Sequence, residues 1–171
     1  MAVIKDFARV ARQEIRRLFI YLALNLSLPS RKQKEDMTNI KLEDDKNCFV
    51  CGDKNSYGLR LRFTIDKNNI MHTEFISQKH HQGFKDIVHG GLIGLILDEV
   101  MVNSAWKLGK DVVTAEFSVR LKRIAKVGEK LLFRGWIDRE NDKIIYTKAE
   151  AKNEHGTIIA LASAKCFKVK E

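Results

Sequence analysis

The segment from Gly90 to Trp106, GGLIGLILDEVMVNSAW, constrains this chain more than any other. Apolar side chains run from Leu92 to Leu97 and continue at Val100, Met101, Val102, Ala105 and Trp106. They surround a helix nearly all the way, which predicts that the helix is buried. Asp98 and Glu99 are its only charged residues. A carboxylate taken out of water without a partner costs several kcal/mol, so an acid here is either paired or kept for chemistry. Neighbouring helical positions point about 100° apart, so the two acids do not share one environment. Asp98 follows Gly91 and Gly94 at helical spacing, on a face open near the backbone that suits a thin substrate chain. Glu99 lies nearer Leu92, Leu95, Ile96 and Trp106. We take Asp98 as the reactive acid; the competing reading is a buried ion pair with Lys107, an arginine or a capping donor.

The rest of the chain supplies what this helix needs to pack on. At 171 residues there is room for one full-sized core and an appendage. Leu59, Leu61, Phe63 and Ile65 alternate with Arg60, Arg62 and Thr64, and Asn68-Asn69 turns into residues 70–77, which predicts a hairpin. Further strands are predicted over 112–123, 130–139, 143–152 and 157–169, broken at Gly128, Asn141-Asp142 and His155-Gly156. The fold class is therefore α+β, an antiparallel sheet of about six strands with one face covered by the long helix. Upstream, residues 1–28 read as an amphipathic basic helix, with Ile4, Phe7, Ala11, Ile15, Leu18 and Leu22 spaced among Arg9, Arg12, Arg16 and Arg17. Residues 29–46 read as a polar linker, and 47–171 as the domain. Met37 lies in the linker and is a candidate native start.

His89-Gly90-Gly91 opens the central helix. Glycines leave backbone N–H groups exposed at a helix N-terminus, where the positive end of the dipole stabilises an oxyanion or polarises a carbonyl. Either glycine amide serves for this; His89 orients the loop or bonds substrate, or simply caps local backbone. Gly91 and Asp98 stand roughly 10.5 Å apart along the helix axis at 1.5 Å per residue. Groups acting on one carbonyl must both lie within about 3 Å of the reacting atoms. One chain therefore cannot bring its own pair to one substrate, whereas two antiparallel helices about a twofold axis can.

Cys48-Phe49-Val50-Cys51-Gly52, Tyr57-Gly58-Leu59-Arg60-Leu61, Gln82-Gly83, Ile87-Val88-His89-Gly90-Gly91 and Asp98-Glu99-Val100-Met101 together resemble the hotdog-fold acyl-CoA thioesterases of the phenylacetate-pathway type. Val113-Thr114-Ala115-Glu116, Val119-Arg120-Leu121-Lys122 and Val127-Gly128-Glu129 extend the resemblance, which covers about residues 47–169. It implies a sheet wrapped around the central helix, dimers or dimers of dimers, and hydrolysis of acyl-CoA thioesters along the subunit interface. It further implies that Asp98 is general base or nucleophile, that the Gly90 amide polarises the carbonyl, that Thr114 helps hold water, and that Gln82 assists. Asp86 departs from the pattern, standing where relatives commonly carry glycine.

Arg120, Lys122 and Arg123 are candidates for CoA phosphates, against the alternative of a solvated basic face. The net charge of +9 admits nucleic acid, an anionic membrane or a polyanionic small molecule. The basic strand from Val119 to Arg123 has no interleaved aromatics, which speaks against nucleic acid. The N-terminal helix suits an anionic membrane surface, docking on the partner subunit, or disorder in solution, with none of these favoured. Other readings are a hotdog dehydratase or hydratase and a noncatalytic acyl-CoA or nucleic-acid binding module. Cys48 and Cys51 form half a zinc site that needs Cys166, His80, His81 or a twofold partner to complete it. No metal or cofactor is assigned from the sequence. An odd set of 3 cysteines without an export signal fits a reducing, cytoplasmic setting.

Overall fold

A computed structural model of the chain describes residues 42–169. The predicted N-terminal helix, Met37 and most of the linker lie outside the described residues, and residues 42–46 have no regular structure. The elements in order are β1 (Thr64–Ile65), β2 (Met71–Ile76), α1 (Gly90–Trp106), β3 (Val112–Leu121), β4 (Lys130–Glu140), β5 (Ile144–Asn153) and β6 (Ile158–Lys168). The strands form one sheet of order β1-β2-β4-β5-β6-β3, and every neighbouring pair is antiparallel. With α1 seated against it, this is the hotdog fold.

Period-two burial explains why the sheet has one face for the helix. In β4, Leu131, Phe133 and Gly135 are buried, and in β5 the buried positions are Ile145, Thr147, Ala149 and Ala151. Ala162, Ala164 and Cys166 continue this face on β6. Many of these residues are small, so the middle of the sheet is a shallow seat into which a helix can sink. Lys148, Lys165 and Arg139 face the other way, where exposed pairs such as Lys148–Asp138 (2.8 Å) and Lys165–Glu116 (2.6 Å) add little stability.

The helix closes onto strand backbone at Gly135. A Cβ there would stand 2.8 Å from the Val100 carbonyl oxygen, so this crossing requires the absence of a side chain. Ile93, Ile96, Leu97, Val100, Met101, Ser104 and Ala105 form the buried stripe of α1. The sequence predicted burial nearly all round; outside this stripe most positions are partly buried, while Gly91 is exposed and Leu95 remains 36% exposed. Off the sheet side, Leu92, Val102 and Trp106 are partly buried against the core, which Leu59, Leu61 and Phe63 also join, so the sheet and the segment before β1 cover the helix together.

The predicted first hairpin is shorter than its alternation implied. Only Thr64 and Ile65 pair with β2, through His72 and Met71. The N–H groups of Leu59 and Leu61 donate instead to the carbonyls of Phe49 and Val50, each at 2.8 Å. Leu59, Leu61 and Phe63 still pack on the core, so period-two alternation reported burial correctly and pairing incorrectly. Asn68-Asn69 makes the predicted turn, held by Asp66 Oδ1, which accepts from the N–H groups of Asn68 and Ile70.

Gly135→Ala is expected to destabilise the domain by about 1–3 kcal/mol, because the obstacle is backbone that cannot rotate away. An unchanged urea midpoint would show that α1 does not ride this close to β4.

Candidate active site

Asp98 sits half-buried on the flank of α1, between its buried stripe and the exposed positions Gly91 and Leu95. Its Oδ1 accepts a hydrogen bond from Thr114 Oγ1 at 2.9 Å, within the same chain. Burial pushes the Asp98 carboxyl above the usual range, Thr114 draws it back, and the neighbouring Glu99 charge raises it again. No ion pair reaches Asp98 or Glu99 among the described residues, so neither acid takes the salt-bridged alternative. Thr114 is aimed by a bulge, since the β3–β6 register jumps between Thr114 and Glu116. The extra residue, Ala115, lets Thr114 turn to Asp98 while Phe117 and Val119 face Gly94 on the same helix.

The helix N-terminus is built as a loop end. His89 is the N-cap, and its Nδ1 accepts from the Gly91 N–H at 3.0 Å. This occupies the Gly91 donor. The Gly90 N–H has no acceptor among the described residues, and a Cβ at Gly90 would meet Leu121 Cδ1 at 2.6 Å. Gln82 stands one step back: its Oε1 accepts from the Asp86 N–H at 3.2 Å, and its backbone bridges to Val88. Asp86 has φ of 60°, the left-handed region that favours glycine, which explains why glycine suits this loop. Lys79 Nζ meets the Asp86 carboxylate at 2.7 Å.

Grooves flank this N-terminus on both sides. One of about 640 Å³ is lined by Phe49, Tyr57, Gln82, His89, Gly91 and Leu95, among others. The other, of about 390 Å³, includes Phe84, His89, Gly90, Leu121, Lys122 and Arg123. Lys122 and Arg123 are thus brought to the helix N-terminus, whereas Arg120 lies in a separate groove with Trp136 and Lys148. Gly94 also departs from its predicted place on an open face. It is buried, and a Cβ there would meet Val119 at 3.7 Å and Phe117 at 3.8 Å.

Glu99 turns toward the Cys48–Gly52 loop. Its Oε1 accepts from Asn103 Nδ2 at 3.0 Å and from Cys48 Sγ at 3.5 Å. Sequence reasoning missed this association, because the partners are 51 residues apart and no spacing rule joins them.

The profile of the thioesterase superfamily matches residues 85–160. Its match spans the His89-Gly90-Gly91 loop, α1, β3, β4, β5 and the first residues of β6. The chain's resemblance is to the thioesterases. An Archaeoglobus fulgidus protein described as a putative esterase is 27% identical over 130 residues, covering 76% of this chain and 84% of that one. A hypothetical thioesterase from Streptococcus pneumoniae, solved with coenzyme A, superposes with a TM-score of 0.61 at 15% identity. That superposition covers 65% of this chain and 87% of the other. The E. coli PaaI protein of the phenylacetic acid degradation operon gives 0.61 at 13% identity, covering 64% and 80%. At these identities the solved structures establish the fold, while the superfamily match and the esterase relative support a hydrolase of the thioesterase kind.

Asp86→Gly is expected to leave stability within about 0.5 kcal/mol, whereas Asp86→Val should cost about 1–2 kcal/mol because a branched residue resists this backbone conformation. Chemical denaturation of the two variants side by side makes the comparison; equal losses would mean that the loop relaxes out of the left-handed region.

Proposed function

We propose that this protein hydrolyses acyl-CoA thioesters at sites shared between two copies of the chain. The observation that carries the reading is the partly buried Asp98 carboxylate, held by Thr114 and, among the described residues, met by no cation, on a helix whose N-terminus offers a Gly90 amide that none of those residues accepts from. Eight residues separate them, which is about 12 Å along the axis at 1.5 Å per residue. The donor and the acid that serve one carbonyl therefore come from different chains.

The uncovered surfaces support a twofold partner. β3 pairs with β6 on one side and presents its other edge unpaired among the described residues. Phe117 (39% exposed) and Leu121 (52%) lie along it, and Leu95 and Phe84 are exposed nearby. A second copy set antiparallel against this edge and the exposed Gly91–Leu95 flank of α1 brings each N-terminus toward the other's Asp98. A dimer or a dimer of dimers meets this requirement.

In the reaction, the thioester carbonyl oxygen accepts from the Gly90 N–H, reinforced by the helix dipole. Asp98 has Oδ1 engaged by Thr114, and its other oxygen takes a proton from water as the water oxygen bonds to the carbonyl carbon. The tetrahedral intermediate expels the CoA sulphur, which receives that proton, giving free acid and CoA. Direct attack by Asp98 to form an anhydride is the alternative route from the same geometry. His89 and Gln82 act through the loop, His89 by capping Gly91 and Gln82 by bracing Asp86. A dehydratase would use the histidine as its base, and here Nδ1 is engaged on backbone. Gly91 and Gly94 are positioning residues in this scheme, with Gly94 fixing the approach of β3.

Turnover of a panel of acyl-CoAs, followed by release of free thiol, tests the assignment. Asp98→Asn should lower kcat by at least about a hundredfold with the dimer intact, as expected for loss of a general base. Mixed dimers of Asp98→Asn with Gly90→Val chains should regain activity, since one site per dimer then has both intact groups. Full activity in the Asp98→Asn homodimer, or no recovery in mixed dimers that are shown to form, would refute the shared site.

Lys122 and Arg123 are assigned to CoA phosphates. Replacing both by alanine should raise KM for acyl-CoA by roughly two- to fivefold per charge, the scale of an exposed ion pair. The same acyl group on pantetheine, which lacks those phosphates, should show no such change; an equal rise on both substrates would place the phosphates elsewhere.

A further inference from the structure

Glu99 has no part in the reaction proposed above, yet it is held as deliberately as Asp98. It faces the Cys48-Phe49-Val50-Cys51-Gly52 loop, and one ligand atom from each of Cys48, Cys51 and Glu99 lies within 4.8 Å of the others. We propose that Cys48 Sγ, Cys51 Sγ and a Glu99 carboxylate oxygen bind one zinc ion, which clips this loop to α1.

The spacing fits the ion. Zinc takes sulphur at about 2.3 Å and carboxylate oxygen at about 2.1 Å, so two such donors in a tetrahedron stand about 3.6 Å apart. Cys48 Sγ and Glu99 Oε1 are 3.5 Å apart. The loop has the form of a metal knuckle. Its Gly52 N–H donates to the Cys48 carbonyl at 2.9 Å, and the Val50 N–H donates to Cys48 Sγ at 3.3 Å. A backbone donor aimed at a sulphur stabilises the thiolate that binds metal. Gly52 admits no Cβ, which would come 2.6 Å from both the N and the O of Cys48. Asn103 meets the same carboxylate from the helix side at 3.0 Å and fixes its orientation.

The charges agree with this assignment. Two sulphurs and a carboxylate converge on one point, so ionised thiols there would repel the Glu99 carboxylate. A dication inverts that balance and turns mutual repulsion into ligation. Thiolate donors select zinc over magnesium or calcium. Cys166, His80 and His81, the completions considered from sequence, are not in the cluster; the helix acid takes their place. Three protein donors leave the fourth tetrahedral position to solvent. Phe49 and Tyr57 line the larger groove beside Gly91, so the clip would hold one wall of that groove in place.

The test is elemental analysis of the full chain purified without a metal-affinity step, followed by exchange with cobalt(II). One zinc per chain and a cobalt complex with thiolate-to-metal charge-transfer absorption and intense tetrahedral ligand-field bands are expected. Cys51→Ser and Glu99→Gln, each checked for a native circular dichroism spectrum, should weaken zinc binding by at least about tenfold. Cys166→Ser should not weaken it. Absence of bound zinc with no charge-transfer band on cobalt addition to the wild-type chain would overturn the proposal. So would a Cys48–Cys51 disulfide in freshly isolated protein, or unchanged zinc affinity in folded Glu99→Gln.

Discussion

The approach of the Val100 carbonyl to Gly135 is the contact on which the rest of the molecule hangs. It brings a backbone helix surface down onto a backbone strand surface, and everything beside it inherits that closeness. The alanines of β5 and β6 are the right size for a helix at this height, and larger residues would lift it. Lifting it would carry Asp98 away from Thr114, because the acid is fixed to the helix and the hydroxyl to the sheet. Packing and chemistry are therefore set by one distance.

Adjacent acids on α1 illustrate how a turn of about 100° per residue separates roles. Asp98 looks toward β3 and meets a hydroxyl; Glu99 looks toward the N-terminal loop and meets an amide and a thiol. Each is partly desolvated, and neither is neutralised by lysine or arginine among the described residues. At the helix start, a similar economy applies to donors. His89 occupies the amide of Gly91, and the amide of Gly90, a residue lining a groove, is left without an acceptor among the described residues.

Much of the fold was legible because it follows from periodicity. The bounds of α1 were readable at both ends, from the glycines at 90 and 91 to the last apolar residue, Trp106, and β4, β5 and β6 announced themselves by alternation. Leu59 to Phe63 misled for a physical reason: a strand-like pattern records which side chains are buried and is silent on which backbone completes the hydrogen bonds. Gly94 misled similarly, since a glycine at helical spacing from Asp98 marks close approach, and only the sheet reveals that Phe117 and Val119 make it. Lys122 and Arg123 reach the helix N-terminus while Arg120 does not, because β3 ends at Leu121 and alternation ends with it. The link from Cys48 and Cys51 to Glu99 was invisible, as contacts between distant segments leave no local trace.

The bulge at Ala115 gives β3 two parities. Upstream, Thr114 turns inward; downstream, Phe117 and Val119 do, although odd and even positions have exchanged sides. Losing one residue here would force a choice between the hydroxyl on Asp98 and the apolar lid over Gly94, for a straight strand cannot present both. Lineages descending from such a chain can shorten or lengthen this strand only in steps of two, or must move the kink itself, so the length of β3 is inherited as a property of the site.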